Sequence, residues 1–334
     1  LKANKTTFLV FIFLILSFQN ILRGEADPLP SWNQGLIKDS IIQFVKETTD
    51  PKNENFIPVA ERIAVFDQDG TLWVEQPIYT QVFFALDAIK AMALGHPEWK
   101  HEEPFKSILE NNLEVLKNFK EQEVSKLIAA THSGLSVNRF KKKVRHWLNE
   151  AIHPHFKKPF TELVYQPMLE VIQYLKDANF KVYIVSGGGQ EFMRAYAEKV
   201  YGIPPEQIIG TAGKVKYEYE NGEPILKKLP EVLFVDDKTG KPEAINLMIG
   251  RKPYAAFGNS IGDKEMLEWT NSGPNKRLML LVHHDDPIRE YAYGPNSKIG
   301  TFPEPLMEEA NQKKWHVVSM RKDWKIIFPF EKNP

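Results

Sequence analysis

An α/β architecture, a doubly wound parallel sheet with a helical insertion, is the fold class this sequence predicts, and two observations predict it. Several short apolar runs, such as those at residues 62–66 and 181–185, are contiguous rather than alternating, as in a parallel strand covered on both faces. From Pro167 onward such runs alternate with helically spaced apolar residues, the order of a βα fold rather than of segregated strands and helices.

Taken in order, the chain first shows Lys2 and Lys5 ahead of an apolar stretch at residues 8–18, then small residues at Gly24 and Ala26. This is the layout of a secretory signal, and the stretch falls short of the roughly 20 residues that span a bilayer. The expectation is a signal peptide over residues 1–26 and a mature chain from near Asp27. That chain would be exported, periplasmic or secreted, with no stable membrane association once cleaved; an uncleaved membrane anchor is the alternative.

Leu36, Ile37, Ile41, Ile42, Phe44 and Val45 then form an amphipathic entry segment, followed by the strand at 62–66. Residues 79–149 turn helical: Val82, Phe83, Leu86 and Ile89, then Ile108, Leu113, Leu116 and Phe119, then Val124, Leu127 and Ile128. Strand signals are sparse there, so residues 77–160 read as a helical insertion in a core made of 27–76 and 161–334. The βα alternation resumes with a helix from Pro167, a strand at 181–185, the loop Ser186-Gly187-Gly188-Gly189 and a helix over 190–201. Asn221-Gly222 between two extended runs signals a hairpin. A helix at 242–249, a strand at 254–257, a loop at 258–263 and a strand at 277–282 follow; beyond Gly300 the pattern assigns no element.

Composition narrows the function. Lys plus Arg and Asp plus Glu number 43 each, so no overall field favours nucleic acid or an anionic membrane, and the expected partner is a small molecule. There is no cysteine, which removes disulfides, thiolate nucleophiles and cysteine-held zinc, and leaves oxygen or imidazole as metal ligands.

Four polar clusters fall where strands end or helices begin: Asp67 with Asp69, Ser186, Lys241, and Asn259 with Asp263. In a parallel sheet such positions converge on one crevice. Two carboxylates two residues apart repel, so either both face water or a cation is expected.

The stretch VFDQDGTLW resembles the first motif, DxDx[TV], of the haloacid dehalogenase-like hydrolases, and VYIVSGGG resembles the second. Lys241 in GKPEAI is placed like the third-motif lysine, and FGNSIGDKEML resembles the acidic fourth motif. Within that superfamily the chain is most similar to phosphoserine-phosphatase-like and phosphorylcholine-phosphatase-like secreted members, whose helical cap lies between the first and second motifs. The resemblance implies a Rossmann-like core and a Mg²⁺-dependent phosphatase that hydrolyses a small phosphomonoester through an aspartyl-phosphate.

It further implies that Asp67 is the nucleophile and a metal ligand, and that Asp69 is the acid and base with its main-chain carbonyl on the metal. Lys241 would be catalytic and bind phosphate together with Thr71, Ser186 and Gly187; Asn259 and Asp263 would complete the Mg²⁺ site. The physical need is plain, since an anion at 4 Å from a dianion meets about 8 kcal/mol of repulsion at an effective dielectric of 20. Asp69 separates a phosphatase from the haloacid dehalogenases, which lack this second aspartate because halide leaves without a proton. Asn259 departs from the family pattern, which commonly has aspartate there, so weaker metal binding is expected.

Trp73 and Glu75 are candidate substrate contacts, an aromatic face beside a carboxylate being suited to a quaternary ammonium group; packing and solvation are the alternative. Lys214, Lys227, Lys228 and Lys238 compete with Lys241 for the third-motif role. His283-His284-Asp285-Asp286 and the histidines 132, 153 and 155 read as packing or surface residues. Pyrophosphatase and phosphotransferase activities remain open on the same core, as does a non-catalytic periplasmic binding protein.

Overall fold

The structure, a computed structural model, describes residues 26–112 and 121–332. Residues 1–25 of the expected signal peptide at 1–26 and the helical positions Leu113, Leu116 and Phe119 lie outside the described residues. Among the described residues, no helix is long and apolar enough to cross a membrane.

Seven strands form one sheet in the order β4-β3-β2-β1-β5-β6-β7. They are β1 (Ile63–Phe66), β2 (Lys181–Gly189), β3 (Ile208–Glu220), β4 (Glu223–Phe234), β5 (Ala255–Gly258), β6 (Leu278–His283) and β7 (His316–Ser319). All neighbours are parallel except β3 and β4, which are antiparallel. The chain leaves β1 toward β2 on one side and later returns to β5 on the other, so the order reverses at β1. A crevice opens there at the carboxyl ends of the strands.

Nine helices matter to the argument: α1 (Leu36–Thr49), α2 (Thr80–Met92), α3 (Glu121–His132), α4 (Val137–Glu150), α5 (Gln166–Asp177), α6 (Gln190–Met193), α7 (Gly240–Met248), α8 (Lys264–Asn271) and α9 (Glu304–Gln312). Along β1, Ala64 and Phe66 face a core shared with α1 and α5, whereas Ile63 and Val65 face one shared with α7, α8 and α9. That two-sided burial is why the run is contiguous: a polar residue at any of the four positions would be buried without a partner.

The expected single helix over 190–201 is two short ones, α6 and a turn at Ala197–Tyr201. The hairpin turn is closed by Glu220 opposite Glu223, with Asn221 at φ 51° and Gly222 at φ 83°. Both central residues are therefore left-handed, as a two-residue primed turn requires. Residues beyond Gly300 add α9 and the edge strand β7.

Helices α2, α3 and α4 follow β1; α2, α3 and the chain between them enclose a small core of Ala85, Ile89, Trp99, Ile108 and Leu127, whereas Phe140, Val144 and Leu148 of α4 join the main core. The segment is stitched to the hairpin by two main-chain hydrogen bonds, Gly134 N–H to the Lys228 carbonyl and Lys228 N–H to the Leu135 carbonyl, each 2.9 Å. Helices and hairpin are thus joined through their main chains.

Candidate active site

Asp67 directly follows β1, and its N–H bonds to the Phe257 carbonyl of β5 at 2.8 Å, so the ladder itself fixes the residue at the crevice. Lys241 reaches it from the first turn of α7. The ammonium donates to Asp67 Oδ1 and Asp263 Oδ1, both at 2.6 Å, and to the Val185 carbonyl at 3.0 Å, which uses all three of its protons. Burial alone would lower the Lys241 pKa, but the Asp263 and Asp67 carboxylates outweigh it and raise it, so the cation stays charged.

One ammonium does not cancel the acids around it. Burial and the nearby Asp263 carboxylate raise the Asp67 pKa against the pull of Lys241. Burial pushes Asp69 up to about 6, opposed by the Trp73 indole and Lys241. Burial also raises Glu75 well above the usual carboxylate range, despite the hydroxyl of Tyr293.

Asp263, expected in the metal set, is held by both of its oxygens. Its Oδ1 is held by Lys241, and its Oδ2 accepts from the N–H groups of Asn259 at 2.9 Å and Ser260 at 3.1 Å. These bonds let Asp263 shape the loop after β5 and clamp Lys241. Oxygens with the fewest bonds of their own near the strand ends are Asp67 Oδ2, the Asp69 carbonyl and the Asn259 amide oxygen, which accepts from the Thr71 hydroxyl at 3.1 Å. Among the described residues no cluster of three or more His, Asp or Glu side chains is arranged to hold a metal. One carboxylate with neutral oxygens fits Mg²⁺, which keeps several waters and takes further ligands from a substrate phosphate.

Thr71 is fully buried and spends its hydroxyl on Asn259, away from the phosphate position expected for it. Ser186 stands at the carboxyl end of β2, with Gly187 beside it on the cavity wall. The Gly189 N–H bonds to Gln81 Oε1 of α2 at 2.7 Å, and Gln81 Nε2 lies 3.0 Å from His132 Nε2 of α3. Burial, with Lys228 and Lys143 nearby, pushes the His132 pKa down to about 3, so this histidine is neutral.

Trp73 is not on the cavity wall. It is 1% exposed, stacks on Tyr196 with ring centroids 4.9 Å apart, and donates its indole N–H to Asp69 Oδ1 at 2.7 Å. Instead of offering its face to a substrate, it orients Asp69. Glu75 does line the cavity, but its Oε1 accepts from Tyr293 at 2.6 Å and from Asn259 Nδ2 at 2.7 Å. These bonds and its raised pKa make it part of the support for Asn259 rather than a free carboxylate.

Several contributors carry no sequence signal of their own. His284, 3% exposed, places Nε2 2.7 Å from the Gly70 carbonyl and Nδ1 3.1 Å from Glu290, and so anchors the turn after Asp69. Asp236 is fully buried with neither carboxylate oxygen hydrogen-bonded, and burial pushes it up to about 7 against the pull of Lys241. The cavity over these groups measures about 500 Å³, with Asp67, Asp69, Ser186 and Lys241 on its wall together with residues of α2, α3 and β4.

Gly70 is required twice over. Its φ is +74°, and a Cβ there would lie 2.1 Å from Asn259 Nδ2 and 2.4 Å from Glu75 Oε1. Gly70→Ala therefore destabilises the protein by about 2–4 kcal/mol, the sum of left-handed strain and overpacking. Denaturant unfolding measures it, and a wild-type midpoint would contradict the packing described.

Solved structures that the chain is similar to include a protein of unknown function from Bordetella pertussis Tohama I, at 15% identity over 77% of this chain and 98% of that one, with a TM-score of 0.48. A functionally unknown protein from Anaerococcus prevotii DSM 20548 shares 16% identity over 87% of this chain and 94% of its own, with a TM-score of 0.49. A phosphoserine phosphohydrolase-like protein from Francisella tularensis subsp. tularensis SCHU S4 shares 16% over 77% and 94%, with a TM-score of 0.40. No curated protein sequence matches the chain. The family model for haloacid dehalogenase-like hydrolases matches residues 64–268, a span that runs from β1 into α8 and takes in Asp67, Ser186, Lys241 and Asp263. The chain belongs to the haloacid dehalogenase-like hydrolase family.

Proposed function

We propose that this protein is a Mg²⁺-dependent phosphatase that hydrolyses a small phosphomonoester through an aspartyl-phosphate on Asp67. The observation that carries the reading is the clamp of Asp67 and Asp263 on one buried ammonium, with Asp69 held beside it on the wall of one cavity. Asp67 attacks phosphorus, and the bond from phosphorus to the ester oxygen breaks. Lys241 keeps Asp67 aimed and offsets part of the charge. Ser186 and the Gly187 N–H are donors for the phosphoryl oxygens.

Asp69 gives its proton to the departing alkoxide and then takes one from the water that cleaves the intermediate. Its pKa of about 6 leaves enough of the acid form near neutrality for that task. A bound Mg²⁺, held by Asp67 Oδ2, the Asp69 carbonyl and Asn259, would supply the remaining positive charge against repulsion between nucleophile and phosphate. Residues 77–160 act as the cap, excluding water and choosing the substrate, with Gln81 linking α2 to the Gly189 turn. Export follows from the N-terminal lysines and the apolar stretch behind them.

The pH dependence tests the role of Asp69. Only its protonated form gives a proton, so kcat/KM for an alkyl phosphate falls about tenfold per unit above roughly pH 6. An aryl phosphate with a stable leaving anion lacks that limb, and Asp69→Asn removes it for the alkyl ester by removing the acid. Parallel profiles for the two esters in the wild-type enzyme would overturn the assignment. Phosphate release that Mg²⁺ supports and a chelator abolishes tests the reaction itself; no release from any phosphorylated metabolite would count against it.

A further inference from the structure

Lys228 of β4 lies on the cavity wall and is 7% exposed. Its position is fixed, since its N–H and carbonyl both bond to the loop between α3 and α4. The ammonium sits 4.7 Å from the centroid of the Phe140 ring, and among the described residues no hydrogen bond or ion pair engages it. Burial lowers its pKa, with Glu191 acting the other way.

Glu191 does not serve as its partner. That carboxylate is paired with Arg194 at 2.9 Å and lies 3.8 Å from Lys141. The other lysine on the cavity wall, Lys241, has spent its protons, and His132 beside Lys228 is neutral. Lys228 is therefore the wall cation with donors to offer among the described residues. A nine-tenths-buried ammonium without hydrogen bonds is costly, and the cation–π contact recovers only part of that cost. If packing on Phe140 were the whole purpose, an apolar side chain would serve better.

We infer that Lys228 receives a second anionic group of the substrate, a carboxylate or a second phosphate, while Asp67 and Lys241 handle the phosphoryl group that is transferred. The substrate class is then a phosphomonoester with an acidic tail, rather than a choline-like ester. This rests on the phosphatase reading above and deepens it. The aromatic face that a quaternary ammonium needs is absent at Trp73, which is covered by Tyr196.

The test uses straight-chain alkyl phosphates of three to six carbons that end in a methyl, a carboxylate or a second phosphate, with p-nitrophenyl phosphate as a reference. At the best chain length, kcat/KM for an acid-terminated ester exceeds that of its methyl counterpart about tenfold to a hundredfold, the range for a hydrogen bond to a charged group. Lys228→Met collapses that ratio through KM, and Lys228→Arg retains most of it. The carboxylate and bisphosphate arms identify which tail is taken. Turnover of p-nitrophenyl phosphate with no preference at any chain length, or a preference that survives Lys228→Met, overturns the inference alone. No turnover of any ester overturns the phosphatase reading and the inference with it.

Discussion

Asp67→Asn loses at least about 10⁴-fold in phosphate release, because an amide cannot attack phosphorus and nothing else on the cavity wall replaces it. The fold survives the change. Lys241 keeps Asp263 and the Val185 carbonyl as partners, and the repulsion between two buried carboxylates disappears. Circular dichroism and thermal unfolding should therefore match the wild type or improve on it while turnover vanishes. Retained turnover would remove Asp67 as nucleophile.

Lys241→Met fails in both respects. It leaves the Asp67 and Asp263 carboxylates buried against each other with no counter-charge, a loss of about 3–5 kcal/mol for breaking a buried pair from one side, and activity falls with it. The sign of its pH dependence is fixed. Asp67 already has a raised pKa in the folded state, and removing the lysine raises it further. Stability is then greatest in acid, below the unfolded carboxylate range, and is lost as pH rises through the folded value. A variant as stable as the wild type at neutral pH would show that the lysine is not the charge on which the site depends. The two variants share a kinetic defect and differ in stability, so measuring both separates chemistry from electrostatic support.

The convergence of Asp67, Ser186 and Lys241 on one cavity is legible in the sequence. Strand ends carry their chemistry in local sequence: an apolar run that stops at Asp67, another that stops at Ser186, and a helix that starts at Lys241. Once the sheet is parallel, those ends share one edge. What local sequence does not encode is which atom of a side chain is already committed. The spacing from Asn259 to Asp263 marks an acidic loop, but only the folded loop turns its N–H groups onto Asp263 Oδ2.

Trp73 follows the packing alternative for a related reason. An aromatic residue near a motif reads as a substrate contact, but Tyr196 from beyond the insertion covers its face. The histidine pair shows both the reach and the limit of periodicity. Alternation correctly separates His283 from His284, one against Phe302 and the other against Gly70. The partner Gly70 lies 214 residues away in sequence, so nothing local marks it. The edge strand β7 was missed because only four residues form it and both ends are polar.

The central claim, covalent phosphoryl transfer to Asp67, is tested most directly by acid-quenching the enzyme during turnover of a phosphomonoester in the presence of Mg²⁺ and mapping the adduct by peptide mass spectrometry. The account predicts a phosphoryl group on the peptide that contains Asp67. It should vanish in Asp67→Asn and, with an aryl phosphate whose leaving group needs no proton, accumulate in Asp69→Asn, where the base for hydrolysis is missing. Steady phosphate release with no adduct on that peptide, or an adduct on another residue, would contradict it.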